Sequence, residues 1–475
     1  MPKIKKIHFI GIGGISMSGI AKILFYQGHK ISGSDISANK ITKQLTKLGI
    51  HINYKHSAKN INHPDIIVKS SAIPKKNPEI IEAKKLNIPI IKRAEMLAKI
   101  MNTYYGIAVA GTHGKTTTTT MIVDIYQTAG IQPTFVNGGI RKKCNLHAEL
   151  GNSKYFITEA DESDASLIYL QPKIAIITNI EQDHMQTYKG NFVLLQKTFI
   201  KFIKNLPKNG VAILCIDNPA IQKILPKIKN CKIITYGFNQ KANFCIQQYK
   251  QYQKTSTFHI HRNKKKPLQI HLNIPGYHNA LNATAAIITA QANNIKTNII
   301  LKTMSRFQNV NRRLHNLGYF CIKKKQKKII TFMLIDDYGH HPNEIQNNIQ
   351  TIRISWPKKR LVMIFQPHRY TRTQDLYKNF VHILGQVDML ILLKIDPAGE
   401  KPITHINSNT LCHAIHKKKQ IKPIFIKNTK KIPKTLQKIL QNNDLLLMQG
   451  AGTIAKITQQ ITDKFPKKNT KFVLS

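Results

Sequence analysis

The 475-residue chain reads as an α/β protein of three domains: a Rossmann-like N-terminal domain, a central P-loop-type domain on a mostly parallel sheet, and a C-terminal Rossmann-like α/β domain. Three observations predict this. Short apolar runs alternate with helical patterns along most of the chain, the signature of parallel sheets covered by helices. Two glycine-rich turns, "GIGGISMSG" and "GTHGKT", each follow an apolar run and open a helical pattern. The length exceeds one ordinary core and calls for about two to four domains.

The first segment opens with a strand over residues 7–10, the turn "GIGGISMSG" and a helix to about Tyr26, followed by a strand near residues 30–32 and "GSD" with Asp35. Gly11, Gly13 and an acidic residue some two dozen positions later make a Rossmann-like start, which suits NAD, another nucleotide or any tight strand-to-helix turn. A boundary is expected near residues 95–104. The apolar run 106–110 then reads as a buried strand, and residues 116–128 as a helix ended by Gly130.

Between them lies "AGTHGKTTTTT". A strand, a glycine turn and a Gly-Lys-Thr helix start present backbone N–H groups to phosphates. Gly111 and Gly114 permit close backbone approach, Lys115 brings positive charge, and Thr116 offers a hydroxyl for Mg2+. The glycine that normally opens such a loop is Val109 here.

Polar clusters repeatedly follow apolar runs further on: "EADESD" after "YFIT", "NIEQDH" after "IAIIT", "DDYGHH" after "FMLI", "PHRYTR" after "LVMIFQ", "DPAGE" after "MLILLKI" and "GAGTI" after "DLLLMQ". Ligands of parallel sheets bind at the carboxyl ends of strands, so these clusters are expected to line clefts. Glu159, Asp161, Glu162 and Asp164 repel one another unless a cation compensates them, which makes Mg2+ a natural partner beside a phosphate. In an extended segment alternate residues point to opposite sides, so one or two should face the metal, the others serving as helix caps. His184 is open to three readings: metal ligand, general base or helix-start residue. Residues 240–272 alternate like antiparallel strands, "KKKQKK" near 315–330 marks a domain boundary or exposed loop, and residues 343–354 and 373–384 read as helices.

Lys and Arg number 73 against 23 Asp and Glu, a net charge of +50. The lysines are spread along the chain with no basic stripe interleaved with aromatics, so weak, salt-sensitive adhesion to nucleic acid is expected and specific binding is not. No apolar run approaches the roughly 20 residues of a membrane span. The basic, apolar start breaks at glycines too early for a signal peptide, and a cytoplasmic protein is expected. Cys144, Cys215, Cys231, Cys245, Cys321 and Cys412 lack paired spacing, so neither a zinc site nor a disulfide framework is indicated.

Taken in order, "GIGGISMSGIA", "GTHGKTTTT", "EADESDAS", "TNIEQDHM", "GYHNALNA", "DDYGHHP", "FQPHRYTRT" and "QGAG" resemble the Mur ligase family over nearly the whole chain. The resemblance implies a UDP-sugar domain over residues 1–102, an ATP-binding ATPase-type domain over 103–313 and an amino-acid domain over 314–475. It implies ATP and Mg2+ as cofactors, and UDP-N-acetylmuramate and L-alanine as substrates of a monomer or homodimer. ATP is expected on Gly111, Thr112, His113, Gly114, Lys115, Thr116 and Thr117, with His278, Asn279 and Asn282 on the nucleotide and Arg313 reaching it. Thr116, Glu159 and His184 are expected to hold the metal; Lys115, His184, Glu159 and Arg372 to be catalytic. Gly11, Gly13, Gly14, Asp35, Ser70 and Ser71 are expected to take the UDP-sugar, and Tyr338, His340, His341 and Arg369 to surround the amino acid. Two departures from the family pattern stand out. Ser16 replaces a glycine in the first turn, and Asn311 replaces the glycine before the two arginines, where asparagine would keep a left-handed turn.

Overall fold

The computed structural model describes residues 4–468 except 142, 143, 145, 263, 264, 325–327 and 420. It divides into two compact units: residues 1–250, 256–274 and 278–310, and residues 251–255, 275–277 and 311–475.

The first unit carries two sheets. One has five parallel strands in the spatial order His51–Asn53, Lys30–Ser34, Lys6–Ile10, Ile66–Lys69 and Ile90–Lys92. The other has ten strands around a parallel centre in the order Val211–Cys215, Ile174–Ile177, Tyr105–Ala110, Tyr155–Glu159 and Thr134–Val136. Ile174, Ala175, Ile176 and Ile177 are all fully buried, and each isoleucine so placed contributes about 1.5–3 kcal/mol. The long strands Phe244–Tyr252, Thr255–Arg262 and Lys265–Leu272 extend one edge, the last two pairing antiparallel as their alternation predicts.

Helix Ile15–Tyr26 packs against the strand Ala148–Glu149 at the other edge of this sheet. A Cβ on Gly19 would lie 2.9 Å from the Ala148 Cβ, so the mid-helix glycine permits this approach. Beside it, His147 Nε2 meets the Ser18 hydroxyl at 3.0 Å, and burial first, with Lys22 second, lowers the imidazole to about 4.

The five-stranded sheet holds a buried polar cluster. Glu79 is fully buried and accepts from the Ser34 hydroxyl at 2.6 Å and from Asn60 at 2.5 Å, with His56 at 3.1 Å and His8 at 3.8 Å. Burial alone would raise the carboxyl, but the contacts with His8, Ser34 and Asn60 outweigh it and hold it at about 2. A depressed folded value contributes stability that is present above the ordinary carboxylate range and lost as pH falls through 4.5 towards 2. The unfolding free energy from urea titrations is therefore expected to drop across that window, by up to about 3 kcal/mol from this group, and Glu79→Gln is expected to flatten the drop. An equal slope in both proteins would show that other carboxylates govern it.

The second unit carries six strands in the order His315–Lys323, Ile329–Asp337, Leu445–Gln449, Leu361–Phe365, Met389–Leu393 and Ile424–Ile426, parallel except for the first pair. The basic stretch expected to mark a boundary or exposed loop lies between the two strands of this antiparallel hairpin, its middle residues lying outside those described. The lysines begin only at the last residue of His315–Lys323 and continue into the connection, so the basic run hides where the strand ends. The helix expected over 373–384 starts earlier and is two helices, Tyr370–Asp375 and Tyr377–Leu384. Leu376, at φ −110° and ψ 21°, turns the axis, while the apolar spacing continues across it, so periodicity does not register the break. The left-handed turn expected at Asn311 falls on Arg312 (φ 60°) and Leu314 (φ 43°). Arg312 is anchored there by Asp336 at 3.1 Å and the Gly450 carbonyl at 2.6 Å, partners distant in sequence.

All six cysteines are free. No helix among the described residues is long and apolar enough to cross a membrane.

Candidate active site

Strand Tyr105–Ala110 is central, flanked by Ile174–Ile177 and Tyr155–Glu159, so the segments leaving the carboxyl ends of all three meet. Val109 still pairs in this ladder, opposite Ile176 and Glu159, which is why no glycine is needed there. The turn begins at Gly111 (φ +130°) and closes at Gly114 (φ +84°), the N-cap of helix Lys115–Thr128. Side chains rarely adopt either conformation. A Cβ at Gly111 would lie 2.1 Å from Thr178 Oγ1, and one at Gly114 would lie 2.5 Å from Asn282 Oδ1.

The turn is pinned from the neighbouring strand end. His113 N–H donates to Asn179 Oδ1 at 2.9 Å, Thr178 and Asn179 side chains donate to the His113 carbonyl at 2.6 and 3.0 Å, and Thr112 Oγ1 accepts from Glu181 N–H at 2.9 Å. Helix Tyr277–Ala292 brings buried Asn279 and Asn282 to the loop, and Thr118 donates to Asn282 at 3.2 Å. His278 is half-buried at the start of the same helix. Thr116 and Thr117 are buried in the first helical turn.

Lys115 Nζ folds back over the turn, donating to the carbonyls of Gly111 (2.5 Å) and Thr112 (3.2 Å) and to Glu162 (2.7 Å). Burial would lower the ammonium, but Glu162, Asp161 and Glu159 outweigh it and raise it. Burial pushes Glu162 up, Lys115 opposing and Asp161 adding to it. Asp161 is held below its ordinary range because Lys115 and Arg93 outweigh burial, and Arg93 stands 3.8 Å from Asp161 and 3.9 Å from Asp164. The four carboxylates thus separate into different tasks. Glu162 pairs with the loop lysine, Asp161 and Asp164 face Arg93, and Glu159 closes its strand with Oε1 on the Gly138 N–H at 2.6 Å. His184 sits in the loop after Ile174–Ile177 at φ 53°, its backbone N–H on Asp183 at 2.8 Å.

A glycine turn in left-handed geometry opening a helix N-terminus, with a half-buried cation beside it, fits a polyphosphate. A threonine hydroxyl and a carboxylate at the same strand ends are oxygen donors of the kind Mg2+ accepts.

At the five-stranded sheet, Gly11 (φ +81°) and Gly13 form the turn before Gly14, the N-cap of Ile15–Tyr26. Asp35 accepts from the N–H groups of Gly13 and Ile36, both at 2.8 Å, so the acidic residue that a dinucleotide fingerprint would put on a ribose closes the turn itself. Ser70 lies beside Gly11, its N–H on the Ile10 carbonyl at 3.1 Å, and Ser71 is exposed.

In the second unit, Arg312 and Arg313 both lie over the Tyr338 ring, at 5.3 and 5.4 Å, and Arg313 pairs with Glu344 at 3.2 Å. His340 stacks edge-on to Tyr338 and near His368. His341 is the N-cap of helix Pro342–Ser355. Arg369 (φ 72°) lies 3.6 Å from Glu400, and buried Arg372 donates to the His368 carbonyl at 3.3 Å. Burial first and Arg372 second lower His368. The structure thus gathers Arg313, Tyr338 and His340 into one cluster and places Arg369 and Arg372 around the next strand end.

Sequence reasoning did not single out Thr178 and Asn179 or the Lys115–Glu162 pair. The first two stand inside the quoted "TNIEQDHM" run; the pair has no local signal.

Three family descriptions match: Mur ligase family, catalytic domain, over residues 6–105; Mur ligase middle domain over 109–290; and Mur ligase, glutamate ligase domain, over 322–452. A UDP-N-acetylmuramate–L-alanine ligase of Baumannia cicadellinicola is 54% identical over 461 residues, covering 97% of this chain and 94% of the relative. The crystal structure of a UDP-N-acetylmuramate-alanine ligase of Thermotoga maritima aligns with TM-score 0.81 and 27% identity over 97% of this chain and 99% of that one. A murein peptide ligase of Psychrobacter arcticus shares the fold, with TM-score 0.69 and 21% identity over 97% and 98%.

Proposed function

The chain belongs to the Mur ligase family, and from that premise we infer that it joins L-alanine to the lactyl carboxylate of UDP-N-acetylmuramate with ATP, in cytoplasmic synthesis of peptidoglycan precursors. The observation that carries this reading is the Gly111–Thr116 turn with Lys115 drawn into its mouth, in a chain that matches alanine-adding relatives nearly end to end.

A carboxylate is a poor electrophile towards an amine and must be activated. A lactyl oxygen attacks the γ-phosphorus of ATP, ADP departs, and an acyl phosphate forms. The L-alanine nitrogen then attacks the acyl carbon, and inorganic phosphate leaves from the tetrahedral intermediate. Both steps build negative charge on oxygen. Lys115, released from Glu162 and the loop carbonyls, meets that charge on the terminal phosphate, and the N–H groups from Gly114 to Thr117, at the start of the helix, cradle the chain of phosphates. Thr116, Glu159 and His184 hold Mg2+, which when bound neutralises phosphate charge. His278, Asn279, Asn282 and Arg313 serve the nucleotide.

We assign the UDP-sugar to residues 1–102 through Gly11, Gly13, Gly14, Ser70 and Ser71, with Asp35 shaping the turn; ATP to 103–313; and the amino acid to 314–475 through Tyr338, His340, His341, Arg369 and Arg372.

Phosphate release with ATP, Mg2+ and UDP-N-acetylmuramate, each amino acid added in turn, tests the reading. Release dependent on L-alanine is expected. Release indifferent to the amino acid, or driven by a dipeptide or glutamate instead, would overturn it.

A further inference from the structure

The turn after strand Thr134–Val136 is fastened at both ends to the phosphate-loop helix. Asn137 is 1% exposed, and its Nδ2 donates to Thr120 Oγ1 at 2.8 Å and to the Gly139 carbonyl at 3.2 Å. Arg141, also 1% exposed, forms an ion pair with Asp124, donates to Gln127 Oε1 at 2.9 Å and covers the Phe135 ring at 5.0 Å. Thr120, Asp124 and Gln127 are four and three residues apart, so they form one face of the helix that begins at Lys115.

Between these two anchors the chain passes through Gly138 and Gly139. The Gly138 N–H meets Glu159 Oε1 at 2.6 Å, and a Cβ there would stand 2.9 Å from both carboxylate oxygens. A Cβ on Gly139 would stand 2.9 Å from Thr116 Cγ2. One turn therefore touches both the carboxylate and the threonine that are assigned to the metal. A buried arginine with Nε and Nη1 unmatched among the described residues is a costly way merely to fill space.

We propose that Asn137 and Arg141 are positioning residues, clamping the Gly138–Gly139 turn to the phosphate-loop helix so that Glu159 and Thr116 stay oriented for the divalent ion. The inference rests on the functional reading above, in which those two residues hold Mg2+. A carboxylate ligand held by a backbone N–H keeps one rotamer, and partners of this outer kind typically govern metal affinity by about ten- to a hundredfold.

The test measures Mn2+ binding by electron paramagnetic resonance, with a non-hydrolysable ATP analogue present, alongside the Mg2+ concentration for half-maximal phosphate release. Asn137→Ala and Arg141→Met are expected to weaken Mn2+ binding about tenfold, and Arg141→Lys to recover most of the loss. Metal-free binding of the analogue is expected to stay within about twofold of the unmodified enzyme's, since both side chains contact the helix, the Phe135 ring and the Gly138–Gly139 turn rather than the phosphate loop. Should Arg141→Met fail to fold, Gly138→Ala disturbs the same carboxylate without opening the buried pair and is expected to weaken Mn2+ alike. Unchanged Mn2+ affinity in the folded variants, with only a lowered unfolding temperature, would overturn the proposal. Failure of the functional reading shows separately, as phosphate release by the unmodified enzyme that ignores L-alanine.

Discussion

Lys115→Met is expected to lower L-alanine-dependent turnover by on the order of a hundred- to a thousandfold, the usual loss when one donor to a developing oxyanion is removed. The structure adds a second consequence. Glu162 is 2% exposed and takes its cation from Lys115 at 2.7 Å, and removing one partner of a buried pair costs roughly 3–5 kcal/mol. Glu162 is already raised by burial, so it takes up a proton and part of that cost is avoided. The single variant should therefore fold with a reduced unfolding temperature. Adding Glu162→Gln removes the stranded carboxyl and should recover stability while leaving turnover low. Paired kcat and thermal unfolding measurements separate the two effects. A double variant with normal turnover would remove Lys115 from the chemistry.

Gly111→Ala is expected to cost the enzyme its nucleotide. At φ +130° an alanine carries backbone strain of about 1–3 kcal/mol, and its methyl would meet Thr178 Oγ1 at 2.1 Å and the Asn179 backbone at 3.0 to 3.1 Å. The hydroxyl can turn away, but the backbone cannot without unfastening the loop. ATP affinity measured by calorimetry should fall by roughly ten- to a hundredfold or more. Binding of the UDP-sugar, assigned to the five-stranded sheet, should be kept. Thr178→Ala combined with Gly111→Ala should restore little, because the Asn179 contact and the strain remain. Full recovery in that double variant would show that the hydroxyl alone shaped the turn.

Much of the fold was legible because the relevant physics is local. The apolar run ending at Ala110, the positive-φ glycines and the helix running to Thr128 each follow from neighbours a few residues apart. The strand His315–Lys323 was hidden because its apolar residues are interrupted by Gly318 and run directly into the lysines that follow, while its pairing with Ile329–Asp337 is made across that basic run. The acidic run was readable as a set of charges near a strand end but not as a division of labour. Which of Glu159, Asp161, Glu162 and Asp164 meets Gly138, Arg93 or Lys115 depends on chain segments up to 71 residues away.

From its residues alone this chain was bound to alternate strands and helices, to turn sharply at Gly11, Gly13, Gly111 and Gly114, and to offer positive charge and hydroxyls at a helix start. Those properties belong to φ, ψ and side-chain spacing within one or two turns of backbone. Folding in space decided the rest. It set Asn282 against Gly114, Thr178 against Gly111, Glu162 on Lys115 and Asn137 on Thr120, because a hydrogen bond is chosen by which groups arrive within about 3 Å, and arrival at that distance is a property of the packed sheets.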